Sequence, residues 1–261
     1  MDTSTMLRAV LEFLRTWREQ ASTKERRSWG VIYRDDRFPL IHDANLGWVS
    51  TVPPGGPDGI LEDLDDAFRG TPVRHRALLF EDADEAFAVQ EPFVRLGFRP
   101  TAELALAKVG LPDCIMNPEV EVRPVEDEAA KEGFRSVTTA TEAAFGYSRE
   151  VLEQLWGVRQ YRSRRVGMRP YLAYLNGVPA GTVSVWPRGK FAWIDDVATH
   201  PDFRMHGVGR TLICEACKRA EEAGSEWALL TSDLFDTPQE MYKSLGFHPI
   251  GEVRGFLRDS T

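Results

Sequence analysis

No apolar run in the 261 residues approaches the roughly 20 needed to cross a bilayer. The opening residues, Met1-Asp2-Thr3-Ser4-Thr5, lack the basic stretch and apolar core of a secretory signal. A soluble, cytoplasmic protein with no membrane partner is therefore expected. Cysteine is scarce, and three residues, an odd number, do not suggest a disulfide framework. Cys214 and Cys217 form a C-x-x-C pair well inside an expected helix, whereas redox pairs of that type use an exposed helix N-terminus. With no second ligand pair to complete a zinc site, no metal is expected. A basic excess is also missing: 40 acidic against 32 basic residues leave a net charge of −8. That excludes the electrostatic footprint of a nucleic-acid binder and suits a cationic acceptor. Core material is not lacking. A hydrophobic fraction of 43% and seven Trp suffice for one large or two small domains.

Periodicity predicts a helix over 5–20, with Met6, Val10, Phe13, Leu14 and Trp17 on one stripe. Strands are expected at 29–33 and 38–41 around the polar turn Arg34-Asp35-Asp36-Arg37, and at 46–49. Pro53-Pro54-Gly55-Gly56-Pro57-Asp58-Gly59 breaks the pattern before a helix over 60–68. A strand at 77–80, a helix over 84–96 stopped by Gly97, and a strand over 98–109 follow. Residues 111–119 carry two prolines and no period, so they are expected to link a domain over 1–110 to one over 120–261.

The second half opens with the alternating strand Val120-Glu121-Val122-Arg123-Pro124-Val125. Helices over 126–145 and 148–164 follow, the second capped by Ser148. Asn176-Gly177 joins strands 171–175 and 181–186 as a hairpin. A second turn leads to the strand 191–199, then His200-Pro201-Asp202-Phe203-Arg204-Met205-His206-Gly207-Val208-Gly209-Arg210, then a helix. Glycines where a helix begins free backbone N–H groups for an anion, and the helix dipole favours negative charge there. A strand at 227–231, a short helix at 238–245 and a last strand complete the chain.

The sequence also repeats itself. Ala77-Leu78-Leu79 with Phe93-Val94-Arg95-Leu96-Gly97-Phe98-Arg99-Pro100 echoes Ala228-Leu229-Leu230 with Tyr242-Lys243-Ser244-Leu245-Gly246-Phe247-His248-Pro249, at separations differing by two residues. Two copies of one α/β domain are expected.

The element order of 120–258, the Arg204-x-x-Gly207-x-Gly209 loop, the preceding Val197-Ala198-Thr199-His200-Pro201-Asp202-Phe203 and Tyr242-x-x-x-Gly246-Phe247 together resemble the GNAT N-acetyltransferase superfamily. The resemblance implies two α/β domains, each with a mixed, mostly antiparallel central sheet flanked by helices. It implies acetyl-CoA as co-substrate, its pyrophosphate held by the loop from Arg204 through Met205, His206, Gly207, Val208 and Gly209 to Arg210. Met205 and His206 stand where the family usually has Gly and Arg. The backbone of Val197, Ala198 and Thr199, splayed from its neighbour, would bind the pantetheine arm and polarise the thioester carbonyl. Tyr242 would be the general acid that protonates the departing thiolate, a core aromatic being the plain alternative. Asp195 and Asp196 lie on successive positions of a strand, so one at most should face the cleft. Asp195, which shares a face with Trp193, is the expected base. Trp186 and Tyr147 are further aromatics that either line the cleft or pack.

In the first half Phe93 takes the place of Tyr242, and prolines remove donors from the corresponding loop at 53–59. A domain over 1–110 that binds no CoA is expected, acting as a cleft wall or a homodimer contact. The function implied is acetyl transfer to a primary amine, in a small molecule or a basic peptide, by direct attack in a ternary complex. The competing reading is a non-catalytic acyl-CoA sensor or interaction module. Dinucleotide binding fits less well, because Gly207-x-Gly209 lacks a third glycine and comes late in its domain.

Overall fold

The structure is a computed structural model that describes residues 1–113, 115–234 and 238–259. Two compact units emerge, one of Leu11–Leu104 with Gly251–Thr261, the other of Met1–Val10 with Ala105–Ile250. The divisions fall inside the first helix, α1 (Thr3–Arg18), and inside two long strands, β5 (Arg99–Val109) and β11 (His248–Arg258), and not in the proline-bearing stretch 111–119. Proline marks a lapse of periodicity, and a strand shared by two units leaves no such mark. Cys114, within that stretch, lies outside the described residues.

In the first unit the sheet order is β1-β2-β3-β4-β11, with β1 (Thr23–Arg27), β2 (Gly30–Arg34), β3 (Leu46–Val49) and β4 (Arg76–Phe80). β3 and β4 run parallel, and the other neighbours antiparallel. β1 is Thr-Lys-Glu-Arg-Arg, a half-exposed edge strand with no apolar alternation to announce it. The strand expected at 38–41 is absent. Pro39 has no N–H to give a ladder, and Asn45 holds the segment as a loop, accepting from the Asp35 N–H at 2.7 Å and donating to the Phe38 carbonyl at 2.8 Å. After α1 (Thr3–Arg18) and α2 (Pro57–Phe68), the helix expected over 84–96 is two, α3 (Ala83–Ala88) and α4 (Gln90–Arg95). Pro92 lacks a donor and its ring clashes with the carbonyl four residues back, where α3 ends. The core holds Trp29, Ile60, Leu64, Phe80, Phe93 and Phe256, with Phe93 stacked on Phe256 at 4.5 Å.

In the second unit the order is β6-β7-β8-β9-β10. Its elements are β6 (Val120–Pro124), α5 (Glu128–Ala143), α6 (Arg149–Val166), β7 (Arg169–Leu175), β8 (Val178–Arg188), β9 (Phe191–Thr199), α7 (Val208–Glu222), β10 (Trp227–Asp233) and α8 (Pro238–Ser244). Pairing is antiparallel from β6 to β9 and parallel between β9 and β10. Asp127 and Ser148 cap α5 and α6 through their side chains. Asn176 and Gly177, at φ 52° and 78°, make the β7–β8 hairpin turn. α7 buries Leu212, Ile213, Ala216, Cys217 and Ala220 as expected. The C-x-x-C is not a dithiol. Cys214 is disulfide-bonded, contrary to the expectation from cysteine number, and Cys217 is a free thiol that burial pushes up to about 12. Among the described residues no helix is long and apolar enough to cross a membrane.

Candidate active site

Among the described residues β9 and β10 share only three register pairs, the last being Leu229 with Trp193, yet β9 runs on to Thr199 and β10 to Asp233. Among the described residues Val197, Ala198 and Thr199 thus have no partner on the β10 side, while Ala198 and Thr199 pair with Thr182 and Gly181 of β8. The backbone edge they leave open is the kind an extended ligand can pair with. Just before them the β8–β9 register slips between Thr182 and Ser184, and Asp196 takes the left-handed φ of 52°.

The slip corrects the expectation that Asp195 and Asp196 point to opposite faces. Both carboxylates reach α6: Asp195 pairs with Arg162, and Asp196 with Arg159 at 2.8 Å. Arg159 and Arg162 are three residues apart, on one face of the helix. Arg159 also pairs with Glu142 of α5, and Ser184 donates to Asp196 at 2.8 Å. Burial works against the charge of Arg159, but Asp196 and Glu142 more than offset it, so its pKa is raised. Burial likewise lifts Asp195, but the Arg162 guanidinium, the Asp196 N–H and the Trp193 indole outweigh it and hold the carboxyl below its ordinary range. A carboxylate so held is a poor proton acceptor.

A cavity of about 580 Å³ opens under α5 and α6, lined among others by Trp156, Arg159, Ser184 and Asp196. Asp195 does not line it, and neither do Trp186 or Tyr147. Trp186 is buried across from Trp193 on β8, and Tyr147 is exposed before α6. Arg159, Arg162, Ser184 and Trp156 were invisible in the sequence as site residues. Arginines at 159 and 162 read as a solvated helix face until β9 is brought against it.

Pro201–Phe203 form a 3-10 turn, Arg204 is extended, and Met205 takes a left-handed φ of 64° with its side chain fully exposed. The His206 Nδ1 lies 2.7 Å from the Arg204 carbonyl, so His206 is folded onto its own loop. Gly207, at φ 74°, caps α7 without a side-chain hydrogen bond, and the first intrahelical bond there is Thr211 N–H to Gly207 at 3.0 Å. The N–H groups of Val208, Gly209 and Arg210 therefore stay available to an anion. A Cβ on Gly181 of β8 would stand 2.6 Å from Val208 and 2.7 Å from Leu212, so glycine there lets α7 lie close over the sheet. Asn117 braces the loop, its N–H donating to Thr211 at 3.0 Å and its amide to the His206 carbonyl at 2.9 Å. The sequence had suggested only a linker for Asn117.

α8 lies against the same corner. A Cβ on Gly209 would be 3.3 Å from the Thr199 hydroxyl and 3.5 Å from the Met241 sulfur, and Arg210 donates to Ser244 at 2.9 Å. Tyr242, on this helix, is buried with its ring edge-on to Phe247 at 6.0 Å. The end of β9, the start of α7 and the helix that carries Tyr242 thus meet in one place.

Residues 134–247 match the family model described as the acetyltransferase (GNAT) family. The chain carries a GNAT domain. No curated protein matches the sequence. Among solved structures, a conserved protein of unknown function from Staphylococcus epidermidis superposes with a TM-score of 0.73 at 17% identity, covering 93% of this chain and 95% of that one. A GCN5-related N-acetyltransferase from Kribbella flavida gives 0.71 at 17% identity over 100% and 97%. A tandem GNAT protein from the clavulanic acid biosynthesis pathway gives 0.54 at 15% over 83% and 75%. At such identities the likeness is one of fold. The fold is α/β of the GNAT type, and the GNAT family carries acyltransferase activity.

The first unit lacks what makes the GNAT domain's corner open. β3 ends at Val49, where its parallel pairing with β4 ends, and the Glu81 N–H still reaches the Val49 carbonyl at 2.9 Å. Phe93, at the place of Tyr242, is wholly buried in the core.

Proposed function

We propose that the GNAT domain transfers an acetyl group from acetyl-CoA to a primary amine by direct attack in a ternary complex. The observation that carries this reading is the parting of β9 from β10 after Trp193, beside the uncapped start of α7. Pantetheine would pair with the free edge of Val197, Ala198 and Thr199, whose N–H groups would polarise the thioester carbonyl. The pyrophosphate would lie on the N–H groups of Val208, Gly209 and Arg210, with the Arg204 and Arg210 guanidiniums adding charge. Met205 and His206 would contribute backbone only.

In the reaction the amine nitrogen bonds to the acetyl carbon as the carbon–sulfur bond breaks. One amine proton passes to a carboxylate, and the thiolate takes a proton from the Tyr242 phenol and leaves as free thiol. Of the two carboxylates, Asp196 is our choice as acceptor of the amine proton. It lines the cavity, and Asp195, the residue expected from sequence, does not. The first unit, closed between β3 and β4, is read as a copy that binds no CoA.

Thiol release from acetyl-CoA with a panel of amines tests the proposal. Tyr242→Phe should lower kcat roughly 10²-fold, the usual size of a lost general acid, with little change in acetyl-CoA binding. Tight binding of CoA with no thiol release on any amine would replace the enzyme reading with that of a sensor.

A further inference from the structure

The cavity lined by Asp196 holds more charge than an amine needs. Its wall carries four cations, Lys131, Arg135, Arg159 and Arg164, against three carboxylates, Glu128, Glu132 and Asp196. Two of these pairs are internal: Lys131 with Glu128 at 2.5 Å, and Arg159 with Asp196 at 2.8 Å. What remains is two guanidiniums facing one carboxylate. Among the described residues Arg164 is tied only to Gln160, through its carbonyl and its side-chain amide, and Arg135 makes no ion pair. Arg159 adds a second sign of an absent acceptor atom. Its Nε and Nη2 are taken by Asp196 and Glu142, and its buried Nη1 has no hydrogen-bond partner among the described residues. A buried donor left unmet in the wall of a cavity calls for an acceptor supplied by whatever fills it.

We propose that the acceptor is a small primary amine that also bears a carboxylate, in other words an amino acid or a close relative. This rests on the acetyltransferase reading of the same domain. The amine end lies toward Asp196 and Ser184. The carboxylate is bound by the α5–α6 guanidiniums, the geometry in which arginine outperforms lysine. The local charge runs against the net −8 of the chain, which had pointed to a basic acceptor. Net charge governs the far field, and the cavity wall governs the bound state.

The test compares matched acceptors: L-lysine with cadaverine, L-phenylalanine with phenethylamine, and glycine with phosphoethanolamine. For at least one amino acid–amine pair, kcat/KM should favour the carboxylated member by roughly 10²-fold, since a site built for a group rejects the analogue that lacks it. Arg135→Ala and Arg164→Ala should cut that preference to below about 10-fold, mainly through KM of the carboxylated member. Equal or better use of the decarboxylated amines overturns the proposal, as does a preference that survives both substitutions. Preferred use of phosphoethanolamine assigns the wall to phosphate and overturns the carboxylate. Calorimetric titration of the same pairs into the CoA-saturated protein gives a readout free of turnover. Binding of the amino acids and not the amines supports the proposal even if no thiol is released, in which case only the enzyme reading fails.

Discussion

Arg159 is one guanidinium shared by two carboxylates from different elements, Glu142 on α5 and Asp196 on β9. Removing such a cation leaves two buried anions facing each other, so the loss exceeds the worth of the pairs themselves. Arg159→Met should lower the unfolding free energy by about 3–5 kcal/mol in a denaturant titration, and Arg159→Lys by less, because the charge stays while the fork is lost. Asp195 and Asp196 show where residue-level reading fails. Strand alternation is a sound rule, yet one left-handed residue at a register slip turns both carboxylates to the same helix. Nothing local to Asp-Asp encodes that slip, because it depends on how β8 pairs across from it. Gly207 was legible for the opposite reason, since a positive φ before a helix is a local demand that glycine meets.

At the scale of elements, Gly181 sets how close α7 comes to β8. Gly181→Ala would force its Cβ against Val208, Leu212 and the Ala198 carbonyl, at 2.6, 2.7 and 2.9 Å. The expected outcome is a loss of about 1–3 kcal/mol in stability, the usual range for overpacking, together with a raised KM for acetyl-CoA as α7 is lifted from the end of β9. Thermal unfolding and initial-rate kinetics check the two effects separately. The strand–loop–helix around Pro201 and Gly207, the Asn176-Gly177 hairpin and the Ser148 cap were all readable, because each rests on residues within a few positions. β1 was not, because Thr-Lys-Glu-Arg-Arg becomes a strand only through its pairing with β2.

For the molecule as a whole, the acid side of the stability curve should be set in part by the first unit. His75 is buried, lies 3.1 Å from the Asn45 carbonyl through Nε2, and packs edge-on to His42 at 4.4 Å. Burial, with His42 beside it, pushes His75 down from 6.5 to about 4, and burial lowers His42 as well. A histidine kept neutral in the fold favours the folded state above the unfolded value. Its share is lost as pH falls from about 6.5 through 4, where only the unfolded chain gains the proton. That difference corresponds to ~3 kcal/mol. Melting temperature should drop over that window, and His75→Asn should flatten the drop. The repeat of Leu-Gly-Phe at 96–98 and 245–247 pointed to two units, while the partition between them stayed hidden inside α1, β5 and β11.

That partition has a consequence in time. β4 is bordered by Gly255–Arg258 of β11, and Phe256 fills the aromatic core against Phe80 and Phe93. On a ribosome, the half of the chain made first waits for residues near 256 before its sheet and core can close, so the part synthesised earliest is among the last to mature.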